Sequence, residues 1–192
     1  MSLAYKDCFN DLYDENGLPY EFILILSGSQ DGFSRSVFEQ KCYNIEQTVA
    51  IIKIKDTGEL VGGYNPVCWN VKGMPLDKHY WIKTDKSFIF KIDEDELNNS
   101  ILSRIEDPEY VILHDRQKID ETIDDTNFHE ETIDFFDLRM YISVDNDPYC
   151  YYNYKSPSYK NDLNFKNRNR KIHLIEDYEM YRIVKKNLLF LN

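Results

Sequence analysis

Glycine is scarce in this sequence, 7 among 192 residues, and there is no glycine-rich loop of the kind that cradles phosphate. Cysteine is limited to Cys8, Cys42, Cys68 and Cys150, with no C-x-x-C pair. That leaves no paired redox or zinc-binding spacing, and reduced thiols in the cytoplasm or nucleus are expected. No leader-like segment precedes them, and no apolar run approaches the roughly 20 residues a membrane helix needs. Positive charge is also short: 23 Lys and Arg stand against 34 Asp and Glu, a net charge of −11. Such a balance repels nucleic-acid phosphates and anionic lipid, so neither is an expected partner.

Aromatic residues, by contrast, are plentiful. Tyr numbers 15 and Phe 11, and apolar residues make up 42% of the chain, enough for one sizeable core. Tyr and Phe suit half-buried pleated surfaces, so the balance leans toward β structure. Phe22-Ile23-Leu24-Ile25-Leu26 is a short apolar run that reads as a strand buried on both faces. A loop over Ser27 to Gly32 leads to a helix opened by Ser34 or Ser36 and running to about Tyr43. Ser36 and Glu39 have capping-box spacing, and Phe38 and Cys42 are the i, i+4 pair expected to face the core.

Thr48 to Lys55 and Leu60 to Tyr64 read as a hairpin around Asp56-Thr57-Gly58-Glu59. Gly62-Gly63 inside its second strand implies a bulge or the close approach of another segment. Ser87 to Ile92 is a further strand, and Ile101 to Ile105 with Tyr110 to Leu113 reads as another hairpin. Between Asp115 and Asp137 nine acidic residues face two basic ones, the pattern of a solvated loop. Leu138, Met140, Ile142 and Val144 alternate with polar positions as a half-buried strand does. Residues 145–171 read as a long loop with a basic end in Lys166, Arg168, Arg170 and Lys171, and a last strand follows near Met180 to Val184. Seven or eight short strands with one clear helix imply an α+β domain, a two-sheet antiparallel β-sandwich with peripheral helices.

Catalytic patterns fail on their spacing. In Gly28-Ser29-Gln30-Asp31-Gly32 the serine directly follows the first glycine, whereas a nucleophile elbow needs it midway. His129-Glu130-Glu131 begins like a zinc-protease helix, but Ile133 holds the place of the second histidine. His79, His114 and His173 are scattered, and no metal or other cofactor is expected. Cys42 reads as a small core residue, and Cys150 in its tyrosine-rich segment as the candidate reactive, exposed thiol. The Lys166-to-Lys171 run beside Tyr151, Tyr152, Tyr154 and Tyr159 has the charge and rings to bind nucleic acid, but pairing with the acidic 115–137 stretch or simple solvation is the favoured expectation.

The ordered segments resemble the TLDc domain of oxidation-resistance proteins. Residues Phe22 to Ser34 are similar to that family's apolar strand and following turn, and Phe38 to Cys42 to its helix. Ile52 to Asp56 with Gly62-Gly63-Tyr64 resembles the family hairpin, and Ser87-Phe88-Ile89-Phe90 the next strand. Asp137-Leu138, Cys150 and Asp177 to Tyr181 resemble its late segments. One departure stands out: Thr132 to Phe136 replaces the glycines that usually precede the late Asp-Leu strand.

The resemblance covers residues 20–184, with 1–19 as a tail or short helix, 115–134 as an acidic loop and 185–192 as a tail. It implies protection from oxidative stress and binding to the vacuolar-type proton ATPase, with no accepted catalytic residues. Within the matching segments Ser29, Gln30, Asp31, Tyr64 and Glu179 are the expected binding residues, and Gly28, Gly32, Gly62 and Gly63 shape the backbone. The expectation is therefore a non-enzymatic binding or regulatory module. The alternatives are an adaptor domain of a larger signalling protein, or an enzyme built on Ser29 or Cys150.

Overall fold

The structure, a computed structural model, describes residues 19–69, 80–106, 112–114, 129–134, 138–143, 147–153 and 158–186. In chain order the elements are β1 (Tyr20–Ser27), α1 (Gly28–Asp31), α2 (Arg35–Cys42), β2 (Thr48–Ile54), β3 (Leu60–Asn65), β4 (Tyr80–Ile82) and β5 (Phe88–Ile92). There follow β6 (Ile101–Arg104), β7 (Ile112–His114), β8 (His129–Asp134), β9 (Leu138–Ser143), β10 (Tyr149–Tyr152) and β11 (Ile172–Lys185).

A β-rich domain with few helices is what these residues form. Nine strands make one antiparallel sheet in the order β6-β5-β3-β2-β11-β10-β9-β8, with β1 also on β11. This ladder is continuous and β4 with β7 forms a separate small sheet, whereas the sequence reading expected two sheets packed as a sandwich. The reason lies in β11, whose 14 residues exceed the reach of any one neighbour. Its start pairs with β10, and the rest lies between β2 on one side and β1 on the other. Leu138, Met140, Cys150 and Tyr152 from one half join Ala50, Ile52, Ile54, Val61 and Ile89 from the other in a single buried cluster. Strands remote along the pairing order thus share a core, so the sheet curls around it.

α2 closes that core with Phe38 and Cys42, both buried as the i, i+4 spacing implies. Its cap differs from the expected box. Ser34, not Ser36, is the N-cap, and its hydroxyl accepts from the Val37 N–H at 3.3 Å. Glu39 bonds Arg35 at 2.8 Å and takes no part in a box. Trp69 packs edge-on against Phe38, and its indole N–H donates to Thr48 Oγ1 at 2.9 Å.

The β2–β3 hairpin forms as read, with Gly58 at φ +68° in its turn. Its register runs unbroken, so Gly62 marks a close approach and no bulge. A Cβ there would meet the Ala50 carbonyl and lie 2.6 Å from the Phe90 ring. The expected hairpin of 101–105 with 110–113 does not form. β6 pairs with β5, and β7 with β4. The free side of β6 is taken by the 158–161 segment, where the Lys160 N–H donates to the Arg104 carbonyl and Asn161 N–H to Ser103 Oγ.

Two stretches read as loops hold strands. The end of the acidic stretch is β8, paired with β9 across a bulge at Thr132. Residues 115–128 lie outside the described residues, as do 1–18 and 187–192. The expected loop over 145–171 contains β10, in which Cys150 and Tyr152 face the core while Tyr149 stacks on Tyr141 at 5.0 Å.

Candidate functional site

β1 ends where the chain turns into α1, and the turn is bonded from both sides. The Ser27 N–H donates to Asp31 Oδ2 at 3.0 Å, and Asp31 Oδ1 pairs with Lys41 of α2 at 2.6 Å. These contacts hold the Asp31 carboxyl below its usual range, the Lys41 bond first and the Ser27 amide second. From the sheet, Asp177 Oδ1 accepts the Ser29 N–H at 2.9 Å and its neighbour Tyr178 N–H at 2.8 Å. Asp177 is buried beside a bulge between Ile175 and itself, which aims its carboxylate at the turn.

Glycine is required at two points of this turn. At Gly28 a Cβ would lie 2.7 Å from the buried Tyr178 ring and 2.8 Å from Phe33. Gly32 has φ +98° and ψ 161°, a region that side-chain-bearing residues scarcely enter, as the Asp-Gly sequence implied.

Glu179 sits opposite Ser27 in the ladder and is 1% exposed. It lies on the face away from the main core, as the alternation with core residues Tyr178 and Met180 requires. Burial raises its carboxyl pKa, the charge of Asp177 adds to the rise, and the Tyr181 hydroxyl opposes it by donating to Oε2 at 2.6 Å. On the same face Tyr64 stacks on Phe88 at 5.2 Å, two strands away from Glu179. Gly63 is buried in β3 between Ala50 and Ile89.

The expected binding residues are thus only partly united. Ser29, Asp31 and Glu179 belong to one cluster with Ser27 and Asp177, Gln30 is exposed beside it, and Tyr64 stands apart. Sequence reasoning missed Asp177 and Lys41. The signal for Asp177 was its place two residues before Glu179, with the buried Tyr178 between them.

The chemistry of this cluster is that of a rigid turn. The Ser29 hydroxyl bonds the Ser27 hydroxyl at 3.2 Å, and no imidazole reaches it among the described residues. Cys150, read from the sequence as an exposed thiol, is 0% exposed between Met140 and His173. Burial pushes its pKa up to about 12, so the thiolate is scarce at neutral pH. The tyrosine-rich segment is a strand, and its period of two puts Cys150 inward. Cys42 is likewise buried and pushed up to about 12. No helix among the described residues is long and apolar enough to cross a membrane.

Beside the turn, β1 carries unusual apolar exposure for a strand expected to be buried on both faces. Tyr20, Phe22, Ile23 and Leu24 are 38–45% exposed. The reason is position: β1 pairs with β11 alone among the described strands.

Residues 11–184, which include the apolar strand, the glycine-bounded turn, the capped helix and the late strand with its carboxylates, match the TLDc domain model. The chain belongs to the TLDc domain family. A comparison with curated proteins gives no match. The TLDc match extends nine residues before the resemblance read at residue 20, into the segment preceding β1.

Proposed function

We propose that this TLDc domain is a non-catalytic binding module in oxidative-stress protection, with the vacuolar-type proton ATPase as its partner and the cytoplasm as its setting. TLDc domains are generally associated with oxidative-stress functions. The observation that carries the reading is the exposed apolar strand β1 beside a turn whose polar groups are engaged in holding its shape. Exposed apolar surface of this kind favours docking, and among the described residues the Ser29 hydroxyl bonds the Ser27 hydroxyl with no base to activate it. The buried thiols support the same conclusion.

Capture of the purified peripheral sector of that ATPase by the whole chain tests it. Leu24→Asp places a charge on the apolar strand and should weaken capture about tenfold or more, since charge in a desolvated contact is costly. Ser29→Ala and Cys150→Ala should leave capture and peroxide protection intact while circular dichroism shows the fold retained. Loss of peroxide protection in either variant, with fold and capture unchanged, would establish covalent chemistry instead.

A further inference from the structure

Among the described residues of this acidic chain, one surface is densely basic. Between Lys160 and Lys171 five cations accompany a single carboxylate, Asp162. A shallow depression of about 650 Å³ is lined there by Asp56, Lys166, Asn167, Arg168, Asn169 and Arg170. The sequence reading set this run against the acidic 115–137 stretch, most of which lies outside the described residues. In the structure Arg168 bonds Asp162 at 2.9 Å, and Arg170 bonds Asp56 at 3.4 Å.

Although it has no regular secondary structure, the turn is firmly built. Leu163 and Phe165 are buried anchors beneath it, and the Leu163 N–H donates to the Tyr152 hydroxyl at 3.0 Å. The buried Glu59 accepts the Lys166 N–H at 2.9 Å and the Thr57 hydroxyl at 2.8 Å. Lys91, paired with Glu59 at 3.4 Å, donates to the Asn164 carbonyl at 2.6 Å. A buried carboxylate therefore fixes the backbone, while the cationic side chains project outward. The two ion pairs of the arginines are exposed, and pairs of that kind are worth about 0–1 kcal/mol, so a competing carboxylate exchanges with them readily.

We propose that the Lys166–Lys171 turn docks a short acidic segment of a protein partner. Charge complementarity selects the partner class. A long polyanion such as nucleic acid extends into the field of a chain carrying net charge −11, which repels it. A short acidic peptide stays within the roughly 8–10 Å over which charges act at moderate salt, and meets the local cations. The spaced arginine guanidinium groups also suit two-point recognition of carboxylates. This surface lies at the start of β11, whereas β1 pairs along its far end. With about 3.3 Å per residue, the ten residues from Lys171 to Tyr181 opposite Leu24 span roughly 33 Å. The two surfaces are separable, and this inference does not depend on the role given to β1.

A fluorescent hexaglutamate peptide, titrated with the whole chain at about 50 mM salt and followed by anisotropy, tests the inference. The expected result is saturable binding that weakens about tenfold or more in Arg168→Glu/Lys171→Glu, and less in the corresponding alanine pair. Lys83→Glu/Lys86→Glu makes the same change in net charge elsewhere and should leave binding within about twofold. Circular dichroism confirms that each variant is folded. No binding by the folded wild-type chain would overturn the proposal, as would equal weakening by the two charge-reversed pairs. Tighter binding of an oligothymidylate of equal charge would overturn it in favour of a nucleic-acid surface.

Discussion

Single positions in the turn show how little chemical change the fold tolerates there. Gly32→Ala moves a side chain into a positive-φ conformation, and Gly28→Ala drives a methyl group into Tyr178 and Phe33. The first should cost about 1 kcal/mol or more through backbone strain, and the second about 1–3 kcal/mol through overpacking. Urea denaturation distinguishes both from a neutral change. Tyr178→Phe should behave in the opposite way. Its buried hydroxyl has no hydrogen-bond partner among the described residues, and burial raises its pKa. Deleting an unsatisfied hydroxyl removes a desolvation cost, so stability should hold or rise by up to about 1 kcal/mol. A loss above about 1 kcal/mol would show that the hydroxyl has a partner. Gly32 was legible from Asp31-Gly32 before a capped helix, a local cue. Gly28 was read as a backbone-shaping glycine through the family resemblance, but the contact that requires it was not legible, because Tyr178 arrives from 150 residues downstream.

Among the elements, α2 and β10 carry the clearest lessons. Ser34→Ala removes the acceptor for the Val37 N–H and should cost about 1 kcal/mol, while Ser36→Ala should cost less than about 0.5 kcal/mol. Chemical denaturation of the two variants decides which serine caps the helix. Both serines were credible from sequence, since a helix start is set by where the backbone leaves its extended conformation, and that depends on how Phe38 and Cys42 meet the sheet. β10 was hidden for a related reason. Four residues are too few to announce a strand, and this one is held by β9 and β11 on its two sides. Cys150 in the native chain should accordingly react with a disulfide reagent far more slowly than in urea, and comparable rates would contradict its burial.

For the whole molecule, His173 links stability to pH. Its imidazole is buried against Phe165 with centroids 4.4 Å apart, and burial lowers its pKa, while Glu59 acts in the opposite sense. A histidine lowered in the folded state binds fewer protons there than when unfolded. Its contribution is therefore complete above the unfolded value of about 6.5 and is lost as pH falls toward the lowered one. The chain should lose stability on acidification from neutral pH, and His173→Phe should flatten that part of the profile. Thermal melts at stepped pH values measure it, and identical slopes in the two proteins would assign the loss to other groups.

By itself the sequence determined what depends on neighbours along the chain. It specified the apolar run of β1, the β2–β3 hairpin, the Phe38 and Cys42 face, the half-buried β9 and the positive φ of Gly32. The ordered set of such local pieces was enough to place the chain in the TLDc family. Tertiary structure decided what depends on distant partners. It chose which strands pair, left β1 exposed, buried Cys150 and brought Asp177 to Ser29 and Glu59 beneath Lys166. The physical reason is the range of the forces. Turn and cap preferences act over a few residues, whereas burial and cross-sheet hydrogen bonds act between groups that meet only after β11 has joined both halves of the sheet.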